Sequence, residues 1–210
     1  MLTIHAADAV LGAPDGVDAV AVDGGVVVAV GVCGEVGPAF PQARLRRWSG
    51  LIAPGLVNVV AVALLEAAYH PDPREADELG TDPLTGDAVT ALGLDDARWG
   101  ASARRGLQRM LRHGTTAVAG TFTRPTVRTA VARSGLRVHA PDGRDANAPV
   151  SLDPLAGMRE PTDALGGPPA LGDPADLAVF AVRDATELAS VGAGSCVATV
   201  LGGRLVFRSS

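Results

Sequence analysis

Two textures of apolar spacing divide the chain. Over residues 2–55 the apolar positions come in short runs, 2–10, 17–22 and 26–32, separated by turn residues, and runs of that length predict β-strands. Asp23-Gly24-Gly25 lies between the last two runs and predicts a hairpin connection, because Asp and Gly tolerate the positive φ of a tight turn. The same texture returns at the other end. Residues 177–181, 196–201 and 204–208 predict strands, with Gly202-Gly203 as their final turn. Neither end is long enough to close a sandwich alone, so the two are expected to complete one β domain together.

Between them the period changes. Residues 56–64 form a nearly unbroken apolar run, the pattern of a parallel strand covered on both faces, although a buried helix starting here would look the same. A stretch rich in Pro, Asp and Gly follows over 70–93 and reads as a loop. Asp95 or Asp96 then caps a helix whose Trp99, Ala103, Leu107, Met110 and Leu111 share a face, and Gly114 ends it. Residues 115–119 predict a strand, 125–134 a helix stopped by Gly135, and 136–140 a further strand. Such a βαβ crossover makes its two strands parallel. Residues 141–173 hold many Pro, Gly and Asp with little periodicity and read as a linker or long loop. The expected fold class is mixed α/β. Residues 1–55 and 174–210 form a composite, sandwich-like β domain, and 56–140 form a truncated α/β unit of about three parallel strands.

Composition narrows the function classes. The 210 residues are 47% hydrophobic and only 3% aromatic, so the core rests on Val, Ala and Leu. All 18 basic residues are Arg, and with the abundance of Ala, Gly, Val and Asp this points to a GC-rich bacterial genome. A net charge of -5 argues against a nucleic-acid binder, whose affinity is built from clustered cations. The one dense basic stretch, 104–112, alternates its arginines with Leu107, Met110 and Leu111 and reads as the solvated face of a helix. The start of the chain has no basic region followed by a long apolar one. The most apolar run, 56–68, is interrupted by Asn58 and Glu66 and is shorter than the roughly 20 residues a membrane helix needs. No membrane association is expected, and the expected location is the cytoplasm. Cys33 and Cys196 stand alone, without the spacing of a disulfide framework or a zinc site.

The string Gly50-Leu51-Ile52-Ala53-Pro54-Gly55-Leu56-Val57-Asn58 resembles the passage into the first barrel strand of the amidohydrolase superfamily, especially imidazolonepropionases and aminodeoxyfutalosine deaminases. Residues 20–31 are similar to the hairpin of that family's composite β domain, and 106–118, with Gly114-Thr115-Thr116, to its second helix-strand step. Residues 173–180 resemble its return into the β domain, and 202–206 its closing hairpin. The resemblance implies a (βα)-barrel and a metal held first by two histidines two residues apart, because alternate residues on a strand point the same way.

The departures carry more weight than the matches. The positions of those two histidines are Val60 and Val62, which have no lone pair to give a metal. Residues 56–173 are also far fewer than the roughly 200 that eight barrel strands require. No catalytic residue, metal ligand or cofactor is therefore assigned. His5, His70, His113 and His139 do not pair at ligand spacing. His113 falls in the last turn of a helix, where a partly cationic ring favours the dipole. His139 falls at the carboxyl end of a predicted parallel strand, where α/β sites gather. With Asn58, Val60, Val62 and Glu66 it would line a residual pocket, although for Asn58 and Glu66 capping or hydrogen bonding to local backbone is the plainer role.

Three functions follow. The first is a non-catalytic relative acting as a binding or partner subunit, a homo-oligomer or bound to another protein, since a short open sheet has edges to cover. The alternative is a metal-dependent hydrolase or deaminase of non-peptide carbon-nitrogen bonds, with an atypical site or one completed by a partner chain. The third is a small-molecule binder using the former metal pocket.

Overall fold

The computed structural model describes residues 1–141, 143, 148–158 and 168–209. In chain order the first part comprises β1 (Thr3–Ala6), β2 (Ala9–Val10), β3 (Ala19–Asp23), β4 (Val26–Gly31), α1 (Cys33–Ala39), β5 (Arg44–Arg47) and β6 (Leu51–Pro54). The middle comprises β7 (Leu56–Asn58), a π-helical turn over Ala63–Ala67, β8 (Ala68–Tyr69), a 3-10 turn over Pro73–Glu75, α2 (Ala76–Leu79), β9 (Leu84–Thr85) and α3 (Asp87–Ala91). It continues with α4 (Asp96–Leu111), β10 (Thr115–Ala119), α5 (Pro125–Ser134) and β11 (Arg137–His139). The last part is β12 (Leu177–Phe180), α6 (Ala185–Val191), β13 (Cys196–Leu201) and β14 (Arg204–Arg208).

The architecture is mixed α/β, with β layers drawn from both ends of the chain. One sheet runs β4-β3-β1-β5 and a second runs β14-β13-β12-β6-β2. β6 and β12 pair antiparallel, from Leu177 opposite Pro54 to Phe180 opposite Leu51, so the N-terminal part supplies a strand in the middle of a largely C-terminal sheet. Between the sheets lie Val20, Val22, Val27, Ile52, Leu177, Val179 and Val200. At roughly 1.5–3 kcal/mol per buried side chain of this size, that shared core fastens the two ends of the sequence together. β3 is buried on both faces, because Ala19 and Ala21 turn to the opposite side against Val36 of α1.

The glycine pairs set the hairpin tips. Asp23 opposes Val26, which leaves Gly24-Gly25 as the turn. Leu201 opposes Arg204, and Gly202 and Gly203 between them both take positive φ, 55° and 74°, as the favoured two-residue hairpin turn demands. The two tips also meet. A Cβ on Gly203 would overlap the Gly24 carbonyl, and the Gly203 and Ala175 amides donate to the Ala175 and Gly25 carbonyls respectively, each at 2.8 Å.

β7, β10 and β11 form a parallel sheet of order β11-β10-β7, as the crossover pattern requires. α4 and α5 cover it through Ala103, Leu107, Met110, Val127 and Val131, packed against Val118 and Leu136. Asp95 is the N-cap of α4 and accepts from the Arg98 amide at 2.8 Å. Gly135, at φ 80°, ends α5. The sheet is three strands wide and does not close into a barrel.

Several expectations are corrected. The run over 56–64 is not one strand: β7 stops at Asn58 and the chain turns into a helical segment. The stretch 70–93 is not a plain loop but holds α2, β9, α3 and the turn at Pro73–Glu75. α1 was not expected at all. Gly34, Gly37 and Pro38 make it a poor helix former, and it is held by the Asp18 carboxylate, which accepts from the Cys33 amide at 2.5 Å. Of the expected linker over 141–173, residues 142, 144–147 and 159–167 lie outside the described residues. Leu155 within it is buried against the far face of the second sheet, beside Phe180 and Leu188. Among the described residues no helix is long and apolar enough to cross a membrane.

Candidate functional site

The carboxyl ends of β7, β10 and β11 are where a parallel sheet gathers chemistry. β7 ends because the Asn58 Oδ1 accepts from the Val60 amide at 3.1 Å, a side-chain turn that competes with further strand pairing. The Asn58 Nδ2 donates to the Ser151 carbonyl at 3.1 Å and ties the 148–158 segment to the strand end. The fully buried amide is therefore committed on both sides.

Val60 and Val62 consequently do not share a strand face. Val60 is buried in the core with Leu64 and Val118, while Val62 is in the helical region, at φ -62° and ψ -49°. Its side chain fills the space that a Cβ on Gly120 would need.

Glu66, in the π-helical turn, reaches the start of α5. Its Oε1 accepts from the Thr123 and Arg124 amides, both at 2.7 Å, and its Oε2 accepts from the Thr123 hydroxyl at 2.7 Å. The carboxylate thus takes the capping role, on amides 57 and 58 residues further along the chain. Pro125 opens that helix, so the amides just before it are left for an external acceptor. Three donors thus take most of the lone pairs that a base for proton transfer would use.

His139 does not join these residues. It is exposed on the edge strand β11, its backbone carbonyl accepts from the Gly120 amide at 3.0 Å, and its ring borders a separate cavity of 190 Å³ with Val57, Ala117 and Arg137. Asn58, Val60, Val62 and Glu66 thus follow one another along β7 and the turn after it, and His139 stands apart.

Of the other histidines, His5 and His70 are held by side-chain hydrogen bonds, while the buried Nδ1 atoms of His70 and His113 have no partner among the described residues. The His5 Nδ1 accepts from the Trp48 indole at 3.2 Å beneath a parallel-stacked ring. Burial first, and then the Arg46 charge, lower its pKa to about 4. The His70 Nε2 lies 2.9 Å from the Leu64 carbonyl and donates to it. Burial is the main cause lowering its pKa to about 4, with Arg109 and Arg105 acting in the same direction. The expected cationic His113 is corrected, since burial chiefly lowers its pKa and keeps the ring neutral. Among the described residues no three His, Cys, Asp or Glu gather as a metal site. The side chains present at the carboxyl edge therefore do not fit the metal that the resemblance implies.

Sequence reasoning missed a 520 Å³ cavity at the same edge, lined by Glu66, Asp87, Trp99 and Arg124 among others. The Arg124 guanidinium sits 4.2 Å from the Trp99 ring centroid, a cation-π contact. Pro125 was the available signal, because a helix starting there puts residue 124 at the mouth of the sheet. The arrangement offers a flat aromatic, a guanidinium stacked on it and the carboxylates of Glu66 and Asp87 around one cavity.

No protein-family model and no curated protein sequence matches this chain. Solved structures similar to it include A. niger ochratoxinase, with 17% identity, a TM-score of 0.46, and coverage of 66% of this chain and 31% of that one. E. coli guanine deaminase has 18% identity and a TM-score of 0.44, covering 68% and 38%. Helicobacter pylori aminofutalosine deaminase has 14% identity and a TM-score of 0.42, covering 67% and 33%. The chain spans about a third of the length of these structures.

Proposed function

We propose that this chain is a degenerate, amidohydrolase-like protein that binds a ligand or partner and does not hydrolyse. The reading rests on one observation: Asn58 and Glu66, the polar side chains that follow β7 where the family would place its ligands, are engaged in holding the fold. Glu66 accepts from three donors at the head of α5, Asn58 bonds backbone on both sides, and Val60 and Val62 stand at the sequence positions of the implied ligands. The motif string from Gly50 to Asn58 supports the family side of the reading. The open three-stranded sheet supports a partner-subunit role, since β11 leaves an unpaired edge.

The test is metal content and solution mass on one purified sample, by elemental mass spectrometry and light scattering. A metal-free oligomer is expected. Zinc or iron near one equivalent per chain would overturn the proposal and favour a hydrolase with an atypical site.

A further inference from the structure

Arg105, Gln108, Arg109 and Arg112 recur at helical spacing and form one stripe on α4. This stripe is not the uniformly solvated face that the sequence suggests. Arg105 and Arg109 are only 19% and 28% exposed, because the segment from Pro71 to Thr81 packs beside them. Between segment and helix lies a cavity of 340 Å³, within the range of small-molecule sites.

The charges on its walls do not balance. Arg105 is satisfied, pairing with Asp72 at 3.3 Å and donating to the His70 carbonyl at 2.8 Å. Arg109 donates to the Thr81 carbonyl at 2.6 Å and reaches Asp82 only at 4.0 Å, an aspartate that is 97% exposed. The Arg112 guanidinium forms no ion pair or hydrogen bond among the described residues. Asp72 is the one carboxylate lining the cavity, against three guanidiniums. Burial chiefly disfavours the protonated Arg109; the Asp82 charge opposes it, and the nearby Arg112 charge adds a smaller push in the same direction as burial. The opposite wall carries the apolar surfaces of Pro71, Pro73 and Ala76.

We propose that this cavity binds a small organic phosphate monoester. The phosphoryl oxygens lie between Arg109 and Arg112, and the organic part lies against Pro71, Pro73 and Ala76. Planar guanidinium forks suit a tetrahedral oxyanion. A dianion matches the surplus of two positive charges, which a monocarboxylate would leave half uncompensated. Nucleic acid is disfavoured because the basic surface is a single cavity on a chain of net charge -5. The cavity shares no residue with the carboxyl edge, so it does not depend on whether the chain is catalytic.

Isothermal titration of the full chain at low ionic strength tests this, with phenyl phosphate, inorganic phosphate and benzoate as probes. Phenyl phosphate should bind one to one, about tenfold or more tighter than either of the others. Arg112→Ala, at an exposed side chain without contacts to lose, should weaken binding by about tenfold or more. Arg104→Ala, on the same helix outside the cavity, should leave it unchanged. Absence of saturable binding at millimolar phenyl phosphate would overturn the proposal. So would equal affinity for inorganic phosphate, or an equal loss in the two variants.

Discussion

The β layers and the three-stranded α/β unit differ in which parts of the chain complete them. In the layers, β6 is flanked by β12 and β2, and β3 is covered on both faces, so the two ends of the chain complete each other. In the α/β unit, one face is covered by α4 and α5 while β11 remains an edge whose three residues are all exposed. The first region is knit together by both ends of the sequence, although β5 and β14 stay exposed at its edges, and the second is a single narrow sheet from the middle of the chain. Polar side chains fasten both regions. In the layers His5 accepts from Trp48 and Asp18 holds the start of α1, and in the unit Glu66 and Asn58 tie strand ends to a helix and a loop much further along the chain.

The largest expected effect compares a buried histidine from each region. His5 and His70 both have folded-state pKa values near 4 against an ordinary 6.5, the first beside Arg46 and the second beside Arg109 and Arg105. The fold prefers the neutral rings, so their contribution is fully present above pH 6.5 and is lost as pH falls from 6.5 towards 4. Each should remove about 3 kcal/mol over that window. Urea denaturation at pH 7 and pH 4.5 should show the loss, and His5→Gln and His70→Gln should each flatten part of the slope. A variant that leaves the slope intact would mean that its histidine is solvated, and the region around it is looser than its burial indicates.

A smaller effect isolates the α/β unit. Glu66→Ala removes three charge-assisted contacts at the head of α5 and should cost about 2 kcal/mol in chemical denaturation. Glu66→Gln keeps an acceptor for one or both amides and should cost about half as much. Equal stability of all three proteins would free Glu66 from its structural role and reopen it as a candidate catalytic carboxylate.

The two regions were not equally legible. Both hairpins could be read because Gly24-Gly25 and Gly202-Gly203 carry a local conformational demand that no neighbour can override. The crossover from β10 through α5 to β11 could be read because Pro125 and Gly135 punctuate it. The end of β7 was hidden, since a run of valines has no period that distinguishes a strand from a buried helix, and the stop comes from the single Asn58 side chain. The burial of Arg105 and Arg109 was hidden for a different reason. It is imposed by Pro71 to Thr81, a segment some 30 residues away whose packing no helical wheel records. Glu66 had a visible type but an invisible partner, because its acceptor role is fixed across 57 residues.

The smallest effect addresses the open edge itself. Val138 is 54% exposed at the centre of β11, so Val138→Lys removes little buried area and should change unfolding free energy by less than about 0.5 kcal/mol. A lysine on an edge strand does oppose pairing with another strand. Light scattering on this variant therefore separates two forms of the partner-subunit proposal that stability cannot. A fall in mass at unchanged stability would place the interface on β11. An unchanged mass would leave the α/β unit open at that edge and move the interface elsewhere, and the contrast with the β layers would then be a property of the single chain.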